Sequence, residues 1–144
     1  MNNLGFEEIF DESNAFHLGA TMYMLGNDLL IILSGIEDHI GSITLAQPYK
    51  APLNPNIKPV NTTPDTKERI SASISTLTQY HHRDDQLLSE FARSLAQKLN
   101  MVVVVTGGIH IDNITKREIK ILSDLFSNIE EKIIKKVKAF QKKE

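Results

Sequence analysis

The chain has no cysteine, which excludes disulfides, thiolate nucleophiles and Cys-ligated zinc or iron–sulfur centres together. Tryptophan is also absent, so only three Tyr and six Phe are available to stack on a planar ligand. No hydrophobic run approaches the ~20 residues needed to span a bilayer. The first residues, Met1-Asn2-Asn3-Leu4-Gly5-Phe6-Glu7-Glu8, are acidic where a signal peptide is basic and then apolar. The expected location is cytoplasmic, without membrane association. Excess positive charge is lacking as well: sixteen bases against eighteen acids give a net charge of −2, so no global field attracts the phosphates that dominate nucleic-acid binding. The balance is uneven, since residues 132–144 hold six of the bases and one acid. That basic tail reads as charge complementary to the end of a helix.

What is present is enough for one core. A chain of 144 residues with 41% hydrophobic content is expected to form a single domain over 1–144 and is not disordered throughout. All five prolines fall between Pro48 and Pro64. Each fixes φ and removes a backbone donor, so residues 48–66 are expected to form a loop. Residues 1–15 read as an N-terminal extension.

Before the prolines, Phe16, Leu18, Ala20, Met22 and Met24 alternate with other residues at the period of a half-buried strand over 16–25. Gly26-Asn27 suits a two-residue turn, and Asp28-Leu29-Leu30-Ile31-Ile32-Leu33-Ser34 reads as a fully buried strand completing a hairpin. A third strand is expected over 39–47, where Ile43 and Leu45 alternate with Ser42 and Thr44 until Pro48 stops it. Three consecutive strands would make a meander.

Ile70, Ala72, Ile74 and Thr76 place a fourth strand over 68–79. Leu87, Leu88, Phe91, Leu95 and Leu99 then change to helical spacing over 84–100. Met101-Val102-Val103-Val104-Val105-Thr106 is short, β-branched and unalternated, as expected of a central strand covered on both faces. Thr115-Lys116-Arg117-Glu118 has capping-box spacing and opens a long helix over 115–143. Its stripe of Ile119, Leu122, Phe126, Ile129, Ile133, Val137 and Phe140 must be buried against the sheet or a partner. The order β-β-β-loop-β-α-β-α argues an α+β fold, a mostly antiparallel sheet with two helices packed on it.

Chemistry could reside in three polar stretches. Gly107-Gly108-Ile109-His110-Ile111-Asp112-Asn113 lies between the buried strand and the capped helix. Adjacent glycines let backbone N–H groups converge on an anion, although such a pair also marks a plain turn or bulge. The stretch matches neither the Walker A loop nor Gly-x-Gly-x-x-Gly. Gly35-Ile36-Glu37-Asp38-His39-Ile40-Gly41 puts acids and a histidine between two apolar strands, and His81-His82-Arg83-Asp84-Asp85 opens a helix. His39 is a candidate to hydrogen-bond a ligand or carry a proton. The histidine spacings fit no metal motif and no serine sits in a nucleophile elbow, so neither a metal nor a hydrolase triad is expected.

Taken together, Gly26-Asn27-Asp28-Leu29-Leu30, Asp38-His39-Ile40-Gly41, His82-Arg83-Asp84-Asp85 and Thr106-Gly107-Gly108-Ile109-His110-Ile111-Asp112-Asn113-Ile114 resemble the LpdD-like family. These small D subunits accompany non-oxidative hydroxyarylic acid decarboxylases and are described as chaperones for prenylated flavin. The resemblance covers about residues 16–122. Gly108 to Ile114 is its most specific element. Ser34 stands where the family has glycine, Ser42 where it tends to have alanine, and His81 where glycine is usual.

The resemblance implies a non-catalytic binding protein for prenylated FMN, or for FMN itself, that delivers the cofactor to a UbiD-type decarboxylase or matures that enzyme. It also implies a flavin prenyltransferase as a second partner and a fold like that of proteasome-assembly chaperones. The cofactor-binding positions carried over are Asp38, His39, Gly41, His82, Gly107, Gly108, His110, Asp112 and Asn113. Tyr80 is the aromatic best placed to stack on a ring. The alternatives are a structural accessory subunit or assembly chaperone with no small ligand, and a small acid/base enzyme using His39, His110 and Asp112. A homodimer is expected if the apolar stripe running to Phe140 outruns the sheet it covers.

Overall fold

A computed structural model of the chain describes residues 6–13, 16–35, 38–52, 68–80, 85–109 and 113–143. The strands are β1 (Phe6–Ser13), β2 (Phe16–Leu25), β3 (Asp28–Ser34), β4 (Ser42–Pro52), β5 (Glu68–Thr78) and β6 (Val103–Gly107). Two helices, α1 (Asp85–Leu99) and α2 (Lys116–Gln141), complete the fold. They pack on one mixed, mostly antiparallel sheet in the order β1-β2-β3-β6-β4-β5, in which β3 and β6 are the parallel pair. The α+β architecture expected from the alternation of periods is thus observed. Among the described residues no helix is long and apolar enough to cross a membrane.

β2 and β3 form where their patterns place them. Gly26 at φ +64 supplies the first position of the hairpin turn. Phe16, Leu18, Ala20, Met22 and Met24 all point into the core. α1 and α2 also match their spacing. The Thr115 hydroxyl accepts from the Glu118 N–H, while the Glu118 carboxylate accepts from the Thr115 N–H at 2.7 Å, closing the capping box. Phe91 of α1 and Phe126 of α2 meet edge to face with ring centroids 5.2 Å apart, locking the helices together.

Four expectations are corrected. Residues 6–13 are not merely an extension: they pair with β2 from Phe6↔Tyr23 to Ser13↔Phe16. Their apolar residues, Phe6, Ile9 and Phe10, do not alternate, so β2's free edge recruits a strand that periodicity hides. Next, Pro48 does not end the third strand, for β4 continues to Pro52. β4 borders β6 only from Ser42 to Ala46 but borders β5 along its whole length. Pro48 and Pro52 fall in the half with one open edge, where a missing donor can cost no ladder bond.

The expected three-strand meander is also not formed as read. β1, β2 and β3 make the meander, and β6 enters between β3 and β4. Lastly, β3 and β6 are covered on one face only. Registers align Met22, Ile31, Val105, Thr44 and Thr76 in one row under the helices and Met24, Leu29, Val103, Ala46 and Ile74 in the next. On the opposite face Ile32 is 39% exposed, and Leu30, Val104 and Thr106 are half-buried. An unalternated apolar strand shows that both faces tolerate burial, but the two helices among the described residues both lie on the same side.

β4 is inverted relative to its chemistry. Ser42 and Thr44 are buried, whereas Ile43 and Leu45 are each 42% exposed. The Thr44 hydroxyl is satisfied by others from β5 and α1: Thr44 Oγ1 lies 3.0 Å from Thr76 Oγ1, and both contact Ser89 Oγ of α1, at 3.3 and 2.8 Å. This triad fastens α1 across β4 and β5. Most of the stripe on α2 is likewise consumed inside the chain. Leu122, Phe126, Ile129, Ile133 and Val137 are buried, with Leu125 beside them, and Phe140 packs against the core, so the stripe does not outrun its sheet at that end, whereas Ile119 at the other end is 52% exposed.

Candidate functional site

Topology builds the site. Because β6 separates β3 from β4, the connection from Gly35 to Gly41 must step about two strand spacings, roughly 10 Å. It does so across the carboxyl end of β6, where Gly107 and Gly108 emerge. Three contacts pin the crossing. The Gly41 N–H donates to the Gly107 carbonyl at 2.9 Å, the Gln79 N–H donates to the Gly41 carbonyl at 2.8 Å, and the Thr106 hydroxyl donates to the Ser42 carbonyl at 3.2 Å.

The two glycines are required by close approach. Gly107 has φ +135, and a Cβ there would enter the Leu33 carbonyl. A Cβ on Gly108 would enter the His39 imidazole. His39, Gly41, Gly107 and Gly108, which lie up to about 70 positions apart in the chain, are thereby brought to one end of the sheet.

Beside them is a depression of about 570 Å³ lined by His39, Ile40, Gly41, Ser42, Ile43, Leu77, Thr78 and Gln79. Its volume lies within the ~300–1,000 Å³ typical of small-molecule sites, and its lining joins apolar and polar groups as such sites do. Ser42 is 1% exposed, and its Oγ has no hydrogen-bond partner among the described residues. A buried hydroxyl in that state costs folding free energy unless something bonds to it.

The other expected site residues are distributed less tightly. Asp38 is exposed at the start of the crossing, and Asn113 is exposed at φ +53, two residues before the Thr115 cap. Tyr80 is 84% exposed and does not line the depression. His82, His110 and Asp112 lie outside the described residues, as does most of the proline-bearing segment. The start of α2 is a poorer anion site than its position promises, because the Glu118 carboxylate already spans it. Among the described residues no three His, Asp or Glu side chains cluster as metal ligands do.

Sequence reasoning missed Ser42 and the end of β5, Leu77 to Gln79, as site residues. For Ser42 a signal existed: a hydroxyl directly after Gly41, in the stretch already singled out around His39. Leu77 to Gln79 carried none, since only the β4–β5 register, with Ser42 opposite Thr78, places them there.

Two comparisons with known proteins bear on the family of the chain. A family model described as the prenylated flavin chaperone LpdD-like domain matches residues 12–138. Protein LpdD of Lactiplantibacillus plantarum is 23% identical over 124 residues, which cover 85% of this chain and 79% of that protein. The family match begins at the end of β1, takes in the crossing, the glycine pair and the depression, and ends in the last turns of α2. The chain therefore belongs to the prenylated flavin chaperone LpdD-like domain family.

Proposed function

We propose that the chain is a non-catalytic carrier that holds prenylated FMN at the end of its sheet and passes it to a UbiD-type decarboxylase. The observation that carries this reading is the depression at the end of the sheet, where His39, Gly41 and Ser42 meet the apolar Ile43 and Leu77, together with the buried Ser42 hydroxyl that has no partner among the described residues. A flavin carries polar edges and an extended apolar body, and the prenyl addition enlarges the apolar part. The residues present fit such a group: Ser42 and the Thr78–Gln79 end of β5 offer hydrogen bonds, and Ile40, Ile43 and Leu77 offer apolar surface. His39, held against Gly108, stands at the margin between them. When bound, the cofactor would bring its own redox and carbanion-stabilising chemistry, and the chain's part would be to bind, orient and shield it.

The carried-over positions Asp38, His82, His110, Asp112 and Asn113 belong to this proposal as additional polar contacts, and a flavin prenyltransferase belongs to it as the source of the cargo. Anaerobic titration with reduced prenylated FMN, reduced FMN and inorganic phosphate, followed by calorimetry and flavin fluorescence, tests the reading. Saturable binding that favours the prenylated form, followed by activation of a UbiD-type apo-decarboxylase without turnover by the carrier, is the expected result. Absence of binding by either flavin overturns it, and stable complex formation with the decarboxylase would then point to an accessory subunit without a small ligand.

A further inference from the structure

A cofactor with a planar apolar body at one end and a phosphate at the other can be held by either end, and the lining of the depression distinguishes them. Ile40, Ile43 and Leu77 are aliphatic and are 61%, 42% and 75% exposed. Aliphatic side chains left in water around a concave surface favour an apolar body that takes them out of it. The other described lining residues, His39, Gly41, Ser42, Thr78 and Gln79, supply hydrogen-bonding groups, and none of the eight is Asp, Glu, Lys or Arg. Charges near this end of the sheet do not make up a phosphate site among the described residues. The Glu118 carboxylate accepts from the Thr115 N–H at 2.7 Å and so puts a negative charge at the start of α2. Asp85 does the same in the first turn of α1, and Asp38, next to His39, is exposed. Lys116 and Arg117 are exposed on the first turn of α2 and do not line the depression. A phosphate monoester carries about −1.5 to −2 charge, and burying it without a cation costs more than hydrogen bonds to hydroxyls and amides return.

We infer that the depression grips the ring system and its prenyl addition and leaves the phosphate outside, in water. This inference rests on the carrier reading and adds to it which end of the cofactor is held. Binding is then driven by apolar burial and by hydrogen bonds to the polar edge of the ring, and the phosphate contributes little to it. The end left out is the one that an acceptor with a phosphate site can take first, while the reactive ring is still covered.

The test is anaerobic calorimetry with the full chain, comparing reduced prenylated FMN with the same cofactor after phosphatase treatment. A phosphate held by even one charge-assisted hydrogen bond would make its removal cost at least about 10-fold in affinity. The two forms should instead bind within about 3-fold of each other, and raising the salt from roughly 50 to 500 mM should change neither affinity by more than that, because no ion pair is there to be screened. Inorganic phosphate should not compete. Leu77→Lys, at a side chain exposed in the free protein, should keep its circular dichroism and cooperative unfolding and weaken both forms alike, by about 5- to 10-fold. A lysine beside a bound phosphate would tighten the phosphorylated form alone. Selective tightening of that kind, a loss of about 10-fold or more on dephosphorylation, or displacement by inorganic phosphate overturns the inference and leaves the carrier reading standing. Failure of both forms to bind overturns the two together.

Discussion

The His39 imidazole occupies the space into which a side chain at position 108 would project. Residues 69 positions apart in the chain therefore share one packing site, and a side chain at position 108 would require the His39 ring to move. Gly108→Ala should displace His39 and cost about 1–3 kcal/mol of stability, as overpacking does. Flavin retention should fall with it. Adding His39→Ala should recover stability without recovering binding. Urea unfolding and flavin titration on the three variants decide this, and an unchanged midpoint for the single variant would show that the packing is not what seats the loop.

Gly107 should be less replaceable than Gly26. Both have positive φ, but nothing lies near a Cβ built on Gly26, whereas one on Gly107 would enter the Leu33 carbonyl. Gly26→Ala should cost about 1–2 kcal/mol from backbone conformation alone. Gly107→Ala should cost more than that, since backbone cannot move aside as a flexible side chain does. Equal unfolding midpoints for the two variants would contradict the close approach.

Ser42→Ala separates a ligand-binding role from a structural one. Removing a buried hydroxyl that has no partner should stabilise the free protein, by about 1 kcal/mol. The same change should weaken binding of reduced prenylated FMN by about 5- to 10-fold, the value of one hydrogen bond to a neutral group. Opposite movements in thermal unfolding and in anaerobic titration are the expected signature. A variant that binds as well as the wild type would remove Ser42 from the site.

The hydroxyl triad predicts an order. Thr44→Val leaves the 2.8 Å contact between Thr76 and Ser89, and should cost about 1 kcal/mol. Thr76→Val leaves fully buried Thr44 with only its 3.3 Å contact to Ser89, and should cost more. Denaturant unfolding of the two variants would refute the account if Thr44→Val were the more damaging.

Contacts between the helices should divide just as unequally. Phe126 is buried and meets Phe91 edge to face, so Phe126→Ala should cost about 3–5 kcal/mol. Lys98 and Glu130 also pair across the helices, at 2.9 Å, but the Lys98 side chain is 54% exposed. Lys98→Met should cost less, about 1–2 kcal/mol, since solvent screens the Lys98 end but the change leaves the Glu130 carboxylate, only 13% exposed, without its 2.9 Å partner. Comparable losses in calorimetry would mean that the ion pair, not the ring contact, holds α1 to α2.

Local signals were sufficient for much of the fold. β2, β3, β5 and both helices can be read from side-chain period, Gly26-Asn27 and the Thr115 capping box, because those depend on residues within a turn or two of each other. The composition of residues 101–106 placed β6 inside the sheet for the same reason. The presence of His39, Gly107 and Gly108 among the candidate residues came from their sequence stretches and from the family those stretches resemble.

Tertiary pairing decided the remainder. That β6 would enter between β3 and β4, that residues 6–13 would join the edge of β2, and that Pro48 would lie within a strand all follow from which edges were available. No local period records that. Ser42 and Leu77 became neighbours of His39 only through that order. The sense of β4 was equally non-local: Thr44 could point inward because Thr76 and Ser89, brought from β5 and α1, satisfy its hydroxyl, and Ile43 and Leu45 were left on the face that the chain's two helices do not cover.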